Sequence, residues 1–428
     1  MPHVTRPTIE GQHSGLADPV GPRTFRAIAE AAGPHAARAR SLYIHVPFCF
    51  HKCHYCDFYS IVDTRDRQDA YVDRLERELE AIAPLSARPL ETIFVGGGTP
   101  TLLRTDLWRR LAEALDRHFD LSAIRARLSS TEFTVECNPE TATPELMAEL
   151  AGARVTRLSL GAQSFDPRHL RTLERHHDPD NVPRALDLAR RAGIERHSVD
   201  LIYAIPGQTL ADWEADLRTA LALGVEHLSA YNLTYEPRTA MTARLARGEF
   251  EPVEEDLEIE MFLAAASHTR AAGLERYEVS NAARPGRASA HNLAYWRQEP
   301  WLAAGPSASG HFAGHRWKNT ARLDTYLALD DGGFAPIEDH EPPDARRALA
   351  ERLMTGLRLS EGVDARRLLD DLRAIDHTAI DRLQSVVGGY AESGHVHTHA
   401  LQHGRWRVTE MGVLITDRIA ADCMEAVL

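Results

Sequence analysis

Three cysteines within eight positions are the residues whose types and spacing point most directly to chemistry. Cys49, Cys53 and Cys56 are spaced C-x3-C-x2-C, whereas Cys137 and Cys423 lie far away in the chain. An odd, mostly clustered set of cysteines is not typical of the disulfide framework of a secreted protein. Three structural thiols are the simplest alternative, but the aromatic and basic residues between the cysteines do not resemble a core strand. The cluster therefore favours a metal site.

Two kinds of metal site fit three close cysteines. Structural zinc usually has four ligands, often arranged as two C-x2-C pairs, and His51 or His54 could complete such a site only in a cramped geometry. An iron–sulfur cubane is usually held by four thiolates. Three thiolates would leave one iron with an open position, and an open position is typical of catalytic rather than structural metal sites.

With Tyr55 directly before its last cysteine, the motif resembles the signature of radical S-adenosylmethionine (SAM) proteins. The resemblance implies a [4Fe–4S] cluster on Cys49, Cys53 and Cys56. It implies that the amino and carboxylate groups of SAM chelate the open iron. It also implies that an electron from the cluster splits the sulfonium and releases a 5′-deoxyadenosyl radical. The missing fourth ligand would then be the cofactor itself.

A glycine-rich loop, "GGGTP" at residues 96–100, directly follows the predicted strand "ETIFV". Glycines permit positive φ and a close approach of the backbone, so the loop could offer backbone N–H and C=O groups to a small polar ligand. An ordinary tight turn between a strand and a helix is the alternative. The family resemblance implies that this loop contacts the amino group of SAM.

Polar residues recur at the ends of the later predicted strands. Glu136 ends the third strand, Gln163 ends the fourth, and Asp200 lies in the fifth, with Arg175 between them. A single acid at a strand end is usually solvated or caps a helix. Acids at successive ends of a parallel sheet, however, would face one mouth. There a carboxylate could accept hydrogen bonds from ribose hydroxyls and an arginine could pair with a carboxylate.

The surroundings of these residues, "VECNP", "LGAQSF", "LERHH" and "SVDLIYAIPGQ", are similar to the coproporphyrinogen-oxidase branch of radical SAM proteins. The likeness runs from about residue 42 to the end of the chain. It implies that the following residues line the SAM pocket: Tyr43, Tyr55, Gly97, Gly98, Thr99, Glu136, Gln163, Arg175 and Asp200.

The elements that would position these residues alternate between strand and helix. Six β-like runs are "SLYIHV", "ETIFV", "EFTVE", "RLSLGAQ", "SVDLIYAIPGQ" and "HLSAYNL", and apolar residues at helical spacing follow each of them. This alternation predicts parallel pairing through crossover connections. It fits an α/β fold with a partial (β/α)6 barrel, the fold that the resemblance implies, with the functional residues at the carboxyl ends of the strands.

The remaining chain is predicted to form an extension and a second domain. Residues 1–41 read as a flexible extension with one weak helix, Thr24 to Ala32, and residues 42–325 as the barrel. Residues 340–428 are predicted to be a small helical, winged-helix-like domain, because amphipathic helices precede the β-like segments "HVHTHA" and "RWRVTEMGVLITDRI". We expect this domain to be a lid or docking domain over the barrel mouth.

Composition excludes several classes of function. The chain has 428 residues, 43% of them apolar, and a formal net charge of −13, which argues against general binding of nucleic acids or anionic membranes. The sequence contains no run of 18 apolar residues, so it predicts no membrane span. Residues 1–41 lack the apolar core of a secretory signal. We expect a cytoplasmic protein.

The resemblance leaves three functions open within the branch. An oxygen-independent coproporphyrinogen III oxidase would use the adenosyl radical to decarboxylate propionates. Such enzymes usually carry a further cysteine in a C-x-C pair, whereas Asp57 and Phe58 follow Cys56 here. A radical SAM methylase or cyclopropanase would bind two SAM molecules, and no feature of the sequence excludes it. The third function is that of a heme chaperone, which passes heme to hemoproteins.

The sequence favours the heme chaperone, because "CDFYS" and the H-N-x-x-Y-W motif "HNLAYW" match that group. The motif implies that His291, Tyr295 and Trp296 contribute to a heme site, since neutral imidazole is a standard heme ligand. The alternative is that His291 only packs against the barrel. The expected cofactors are a [4Fe–4S] cluster, SAM and heme. The expected partners are hemoproteins and an electron donor such as a flavodoxin, with membrane contact only through partners.

Overall fold

Six parallel strands form the centre of the protein, as the sequence predicts. The computed structural model describes residues 23–33, 36–128, 130–397 and 403–428. The six strands lie side by side in chain order, and every neighbouring pair among them is parallel. They are β1 (Ser41–Val46), β2 (Thr92–Gly97), β3 (Glu132–Cys137), β4 (Arg157–Gln163), β5 (Arg196–Tyr203) and β6 (His227–Asn232).

Helices connect these strands and cover one face of the sheet. The helix between β5 and β6 begins at a capping box, in which the Thr209 side chain and the Asp212 side chain each accept a hydrogen bond from the other residue's N–H. The helices of the barrel are α1 (Phe25–Ala32), α2 (Gln68–Ile82), α3 (Thr105–His118), α4 (Ser122–Arg125), α5 (Pro144–Gly152), α6 (Pro167–Thr172), α7 (Asn181–Ala192), α8 (Leu210–Ala222), α9 (Ala240–Ala246), α10 (Glu255–Ala271), α11 (Ala290–Trp296) and α12 (Leu323–Ala328).

Alternation along the strands separates an apolar outer face from a polar inner face. In β3, Phe133 and Val135 are buried in the main apolar core, whereas the intervening Thr134 and Glu136 belong to the opposite face. In β5, Val199 and Leu201 are buried in that core. Successive side chains of a strand point to opposite faces, so residues between the core positions face the interior of the barrel. The polar site is therefore built by the same pattern that builds the core.

The sheet is larger than the sequence predicts. Among the described residues it has twelve strands, because further short strands extend it beyond both β1 and β6. The strand next to β1 is parallel to it, and the outer strands are antiparallel. The added strands are β7 (Glu275–Arg276), β8 (Asn281–Ala283), β9 (Trp301–Ala304), β10 (Ser309–Phe312), β11 (His315–Asn319) and β12 (Ile337–Glu341).

Part of the predicted flexible extension, between residues 25 and 39, packs on the barrel. Phe25 is buried and its ring stacks on Trp317 at a centroid distance of 4.2 Å. Ile28 is also buried, and Ala39 is covered completely. The predicted helix is present as α1. The first 22 residues of the predicted extension lie outside the described residues. Within the part of the chain that the structure describes, no helix combines the length and apolarity needed to cross a membrane.

Residues after 344 form a helical unit with its own apolar cluster, which extends from Leu349 to Val427. Its helices are α13 (Ala345–Gly356), α14 (Ala365–Ile375), α15 (Ala379–Glu392), α16 (Glu410–Val413) and α17 (Thr416–Val427), and its two-residue strands are β13 (Val363–Asp364) and β14 (Arg405–Trp406).

The predicted β-structure of "RWRVTEMGVLITDRI" is wrong beyond its first residues. After β14 and an isolated bridge between Val396 and Val408, the segment is helical. Thr409 caps α16 by accepting a hydrogen bond from the N–H of Gly412. Ile419 and Cys423, four residues apart in α17, are both fully buried, and this spacing is helical. Of "HVHTHA", residues 398–400 lie outside the described residues.

Candidate functional site

The three clustered cysteines lie in one closed loop directly after β1. The N–H of Cys49 donates to the carbonyl of Ile61 at 2.9 Å, and the N–H of Ile61 donates to the carbonyl of Pro47 at 2.8 Å. The N–H of Cys56 donates to the carbonyl of Cys53 at 3.2 Å. All three thiols are free and half-buried, and they line a cavity of about 460 Å³ at the carboxyl end of the barrel strands.

Burial disfavours the thiolate form of two of the three cysteines, Cys49 and Cys56. Burial raises the pKa of the Cys49 thiol and raises that of Cys56 to about 11. Thr99 and Arg175 act in the opposite direction on Cys49, whose Sγ lies 3.5 Å from the Thr99 hydroxyl. Arg175 Nη1 also lies 3.8 Å from Cys53 Sγ. Thiolates are the form that binds metals, so a cationic cluster would supply the charge that ionises these groups.

The arrangement of the thiols fits an iron–sulfur cluster better than a single zinc ion. Two sulfurs on one zinc, each about 2.3 Å away from it, lie at most about 4.6 Å apart. The three cysteine sulfurs do not all lie within 4.8 Å of one another, because they are absent from the groups of described side chains that meet this limit. His54 does not complete a zinc site, because its Nδ1 faces Arg244 at 3.3 Å. The residues present therefore fit a larger cluster with three protein ligands.

The glycine-rich loop is fastened to the cysteine loop by its own N–H groups. The N–H of Gly98 donates to the carbonyl of Val46 at 2.8 Å, and the N–H of Thr99 to that of Phe48 at 2.7 Å. Gly97 has a φ of +107°, and a Cβ there would meet the ring of His45 at 2.5 Å, so only glycine fits. Because these N–H groups have partners, the loop would meet a ligand mainly through carbonyl oxygens, which suit an ammonium group.

Two carboxylates from β3 and β5 lie in the barrel interior. Glu136 accepts a hydrogen bond from the N–H of Gly97 at 3.0 Å. Burial, reinforced by the negative charge of Asp200, raises the pKa of Glu136 to about 8. Burial also raises the pKa of Asp200, although its hydrogen bonds oppose the shift. A cationic ligand in this cavity would relieve the cost of ionising both groups.

Three serines that the sequence analysis did not single out surround Asp200. Ser229 on β6 donates to Asp200 at 2.7 Å, Ser159 on β4 at 3.1 Å and Ser198 on β5 at 3.4 Å. The strand register brings them together, because Asp200 pairs with Ser229 and Ser159 with Ser198. The sequence does place these serines at inward positions of predicted strands, and this is the signal by which they could have been found. The serines fix the carboxylate for hydrogen bonding to a ligand.

Arg175 is directed into the cysteine cavity from the loop after α6. Its Nη2 donates to the carbonyl of Gly161 at 3.0 Å. A Cβ at Gly161 would lie 3.2 Å from that nitrogen and 2.7 Å from Nε2 of Gln163. Eight of the nine predicted SAM residues line this cavity. The exception is Tyr43, which lines an adjoining cavity and whose hydroxyl lies 3.1 Å from His45 Nδ1.

The adjoining cavity, of about 550 Å³, occupies the barrel interior and shares Gly97, Glu136 and Asp200 with the cysteine cavity. Aromatic and histidine side chains dominate its wall. Arg157 and Lys318 bring positive charge to it, and neither residue was singled out from the sequence. Other lining residues are Tyr43, Phe58, Tyr59, Phe94, His227, Tyr231, Tyr277, His291, Tyr295 and Trp301.

The predicted heme residues occupy different positions in the short helix α11. His291 and Tyr295 line the adjoining cavity, as their i, i+4 spacing predicts. Trp296 is not among the lining residues of either cavity, and its Nε1 is buried without a hydrogen-bond partner in the described part of the chain. The helix is anchored to β3, because Ser289 Oγ and the N–H of Ala290 both donate to buried Glu132, at 2.9 and 3.2 Å.

Hydrogen bonds fix the tautomer of His291. Thr92 donates its hydroxyl hydrogen to Ser41 at 2.8 Å, so its oxygen accepts from the Nδ1–H of His291, also at 2.8 Å. The other ring nitrogen, Nε2, then accepts from the Tyr295 hydroxyl at 2.8 Å. Burial lowers the pKa of His291 to about 4, so the ring is neutral near pH 7. Its Nε2 lone pair is therefore directed towards the cavity-lining Tyr295.

Comparisons with known proteins agree with this geometry. The sequence model of the radical SAM superfamily matches residues 43–220. The chain is 35% identical to the heme chaperone HemW of Bacillus subtilis over 361 residues, which cover 84% of this chain and 93% of that protein. It is 36% identical to HemW of Mycobacterium tuberculosis strain H37Rv, over 78% of this chain and 85% of that one. The solved structure of coproporphyrinogen III oxidase (HemN) from Escherichia coli has a TM-score of 0.78, 23% identity and 94% coverage of both chains, so it supports the fold.

Proposed function

The chain belongs to the radical SAM superfamily and, within it, to the family of the HemW proteins, and we propose that it is a heme chaperone. Membership of the superfamily implies SAM and a [4Fe–4S] cluster. In this proposal Cys49, Cys53 and Cys56 hold the cluster. Such a cluster would supply an electron for the cleavage of SAM.

SAM is proposed to occupy the cysteine cavity. Glu136 and Asp200 would accept hydrogen bonds from its hydroxyl or amino groups, and Arg175 would pair with its carboxylate. The serines around Asp200 keep that carboxylate in place, so its orientation needs little adjustment when the ligand binds. Tyr43 acts only indirectly, because it lines the adjoining cavity.

Heme is proposed to occupy the adjoining cavity, and the tautomer of His291 is the observation that carries this assignment. Neutral Nε2 is the usual metal ligand of histidine, and a second hydrogen bond at Nδ1 orients such a ligand. Thr92 provides that hydrogen bond. The aromatic side chains offer faces for a porphyrin, and Arg157 and Lys318 offer charges for its carboxylates. Trp296 would support α11 rather than contact heme.

The shared wall at Glu136 and Asp200 would place the two ligands next to each other. We further propose that an electron donor such as a flavodoxin reduces the cluster and that hemoproteins receive the heme. The chaperone would act in the cytoplasm and meet membranes only through those recipients.

A heme titration tests the proposal against the oxidase alternative. Cluster-loaded wild type is titrated anaerobically with heme, and the Soret band is followed. We expect saturable binding, weakened at least about 10-fold in His291→Ala because an axial ligand is lost. His377→Ala is the control, since His377 is exposed between α14 and α15.

The same preparation is incubated with SAM, a reductant and coproporphyrinogen III. Heme binding without decarboxylation supports the chaperone. Decarboxylation without heme binding assigns the protein to the oxidases. Equal heme binding by wild type and His291→Ala removes His291 as the ligand.

A further inference from the structure

A second group of metal-binding side chains lies beside the cysteine loop. His51, between Cys49 and Cys53, meets Glu174 and His176 from the loop after α6, and one ligand atom from each lies within 4.8 Å of the other two. The rings of His51 and His176 meet edge to face at a centroid distance of 4.6 Å. His176 Nε2 lies 3.2 Å from Glu174 Oε2.

The ion pair between His176 and Glu174 already has nearly the separation of two ligands on one metal ion. Nitrogen and oxygen ligands lie about 2.0–2.2 Å from zinc, so two of them in a tetrahedral arrangement are about 3.3–3.5 Å apart. The His176–Glu174 pair is already at that separation. One ligand atom of His51 lies within 4.8 Å of both partners.

Two further features of the group are energetically unfavourable without a ligand. His51 Nε2 is buried and lacks a hydrogen-bond partner in the described part of the chain, which costs about 1–3 kcal/mol when water cannot reach it. Glu174 has a φ of +53°, a left-handed conformation that costs a non-glycine residue about 1 kcal/mol or more. Both costs fall on members of the same three-residue group.

A comparable group of side chains elsewhere in the protein already has a cationic side chain between its carboxylates. Asp166, His169 and Asp212 also lie within 4.8 Å of one another. There, Arg168 bridges the two carboxylates at 2.6 and 2.9 Å, so a guanidinium already takes the place of a cation. In the His51 group, the neighbouring guanidinium of Arg175 is turned towards Gly161 and the cysteine cavity instead.

We propose that His51, Glu174 and His176 bind a divalent transition-metal ion of the zinc type, in addition to the cluster on the cysteines. Two imidazoles and one carboxylate suit zinc, nickel or iron(II) more than magnesium or calcium. Three protein ligands leave one tetrahedral position for water. The assignment does not depend on the heme proposal, because none of the three residues lines the adjoining cavity.

Binding at this site would join two loops that both approach the cluster. His51 lies between two of the cysteine ligands. Glu174 and His176 flank Arg175, whose guanidinium faces Cys53 Sγ at 3.8 Å. A metal ion bound to Glu174 and His176 would therefore restrain the backbone on both sides of Arg175. In this proposal the ion positions the two loops, and it lies outside the adjoining cavity assigned to heme.

Zinc binding by cluster-loaded protein tests the assignment. Anaerobic equilibrium dialysis against Zn²⁺, with zinc and iron measured by mass spectrometry, should show one zinc per chain in wild type without loss of iron. His176→Gln should weaken zinc affinity at least about 10-fold. Glu174→Gly should do the same while unfolding at a higher temperature than wild type, because glycine relieves the positive φ.

His54→Gln is the matched control, since His54 is on the same loop but faces Arg244. It should keep the zinc affinity of wild type. Loss of zinc in the two site variants, with iron content unchanged, supports the site. Absence of bound zinc in cluster-loaded wild type overturns the proposal, as does wild-type zinc affinity in Glu174→Gly.

Discussion

Replacing Tyr295 with Phe tests the heme assignment at one atom. The Tyr295 hydroxyl lies 2.8 Å from Nε2 of His291 and donates to the lone pair that a heme iron would need. Iron can bind Nε2 only after this hydrogen bond has broken. Phe keeps the ring that lines the cavity and removes only the competing donor. The variant therefore separates competition for the ligand nitrogen from loss of aromatic contact.

The size of the effect follows from the hydrogen bond that is removed. A buried hydrogen bond of this kind is worth about 0.5–1.5 kcal/mol net. Wild type loses the free energy of this hydrogen bond when heme binds, whereas Tyr295→Phe has no such hydrogen bond to break. Heme affinity should therefore rise about 2- to 13-fold in the variant. The unpaired Nε2 of the heme-free variant adds to the gain, because iron would satisfy it.

Anaerobic Soret titrations of cluster-loaded protein measure this change. The expected order of heme affinity is Tyr295→Phe, then wild type, then His291→Ala. Tyr277→Phe is the control, because Tyr277 lines the same cavity but its hydroxyl contacts His227 and Asn292. Heme binding by Tyr295→Phe that is no tighter than in wild type refutes the competition argument. Binding as weak as in His291→Ala would make Tyr295 itself the iron ligand.

Three further outcomes are expected. Cys53→Ala should abolish the broad visible absorption of the reconstituted cluster and Cys137→Ala should keep it; equal loss in both would end the three-ligand assignment. Glu136→Gln should weaken SAM binding in equilibrium dialysis about 10- to 150-fold, because a hydrogen bond to a charged group contributes about 1.5–3 kcal/mol. Unchanged SAM affinity would remove Glu136 from the site. Burial lowers the pKa of His197 to about 4, below its unfolded value, so protonation favours unfolding as the pH falls below about 6.5. Urea unfolding should show that His197→Gln loses about 2 kcal/mol less stability than wild type between about pH 7.5 and pH 5, and identical losses would refute the shift.

The sequence predicts the six central strands and their helices because each strand carries an outward apolar face. The run "RLSLGAQ" matches β4 residue for residue. The strands outside β1 and β6 escaped prediction, since they are two to five residues long and several are polar. Such strands form because a neighbouring strand offers hydrogen bonds, which local sequence does not reveal.

The candidate site is predicted from the sequence where a motif carries it. The cysteines, "GGGTP", Glu136 and Asp200 share one cavity in the structure. Contacts across strands are not visible in the same way. The serines around Asp200 come from β4, β5 and β6, so register alone unites them. One of the two partners of His291 also comes from a distant part of the chain, because Thr92 lies 199 positions earlier. The domain boundaries at 325 and 340 stay predictions.

The strands beyond β1 and β6 determine how the protein can meet other chains. Further strands pair with β1 and with β6 on the outer side of the parallel core, so the outermost strands of the sheet are β12 and β7. The first reads "IEDHE" and the second has only two residues. Short or charged edges resist strand addition by a second chain, which is the usual start of sheet aggregation. At these two edges of the described sheet, contact with another protein is therefore expected to rely on side chains rather than on backbone pairing.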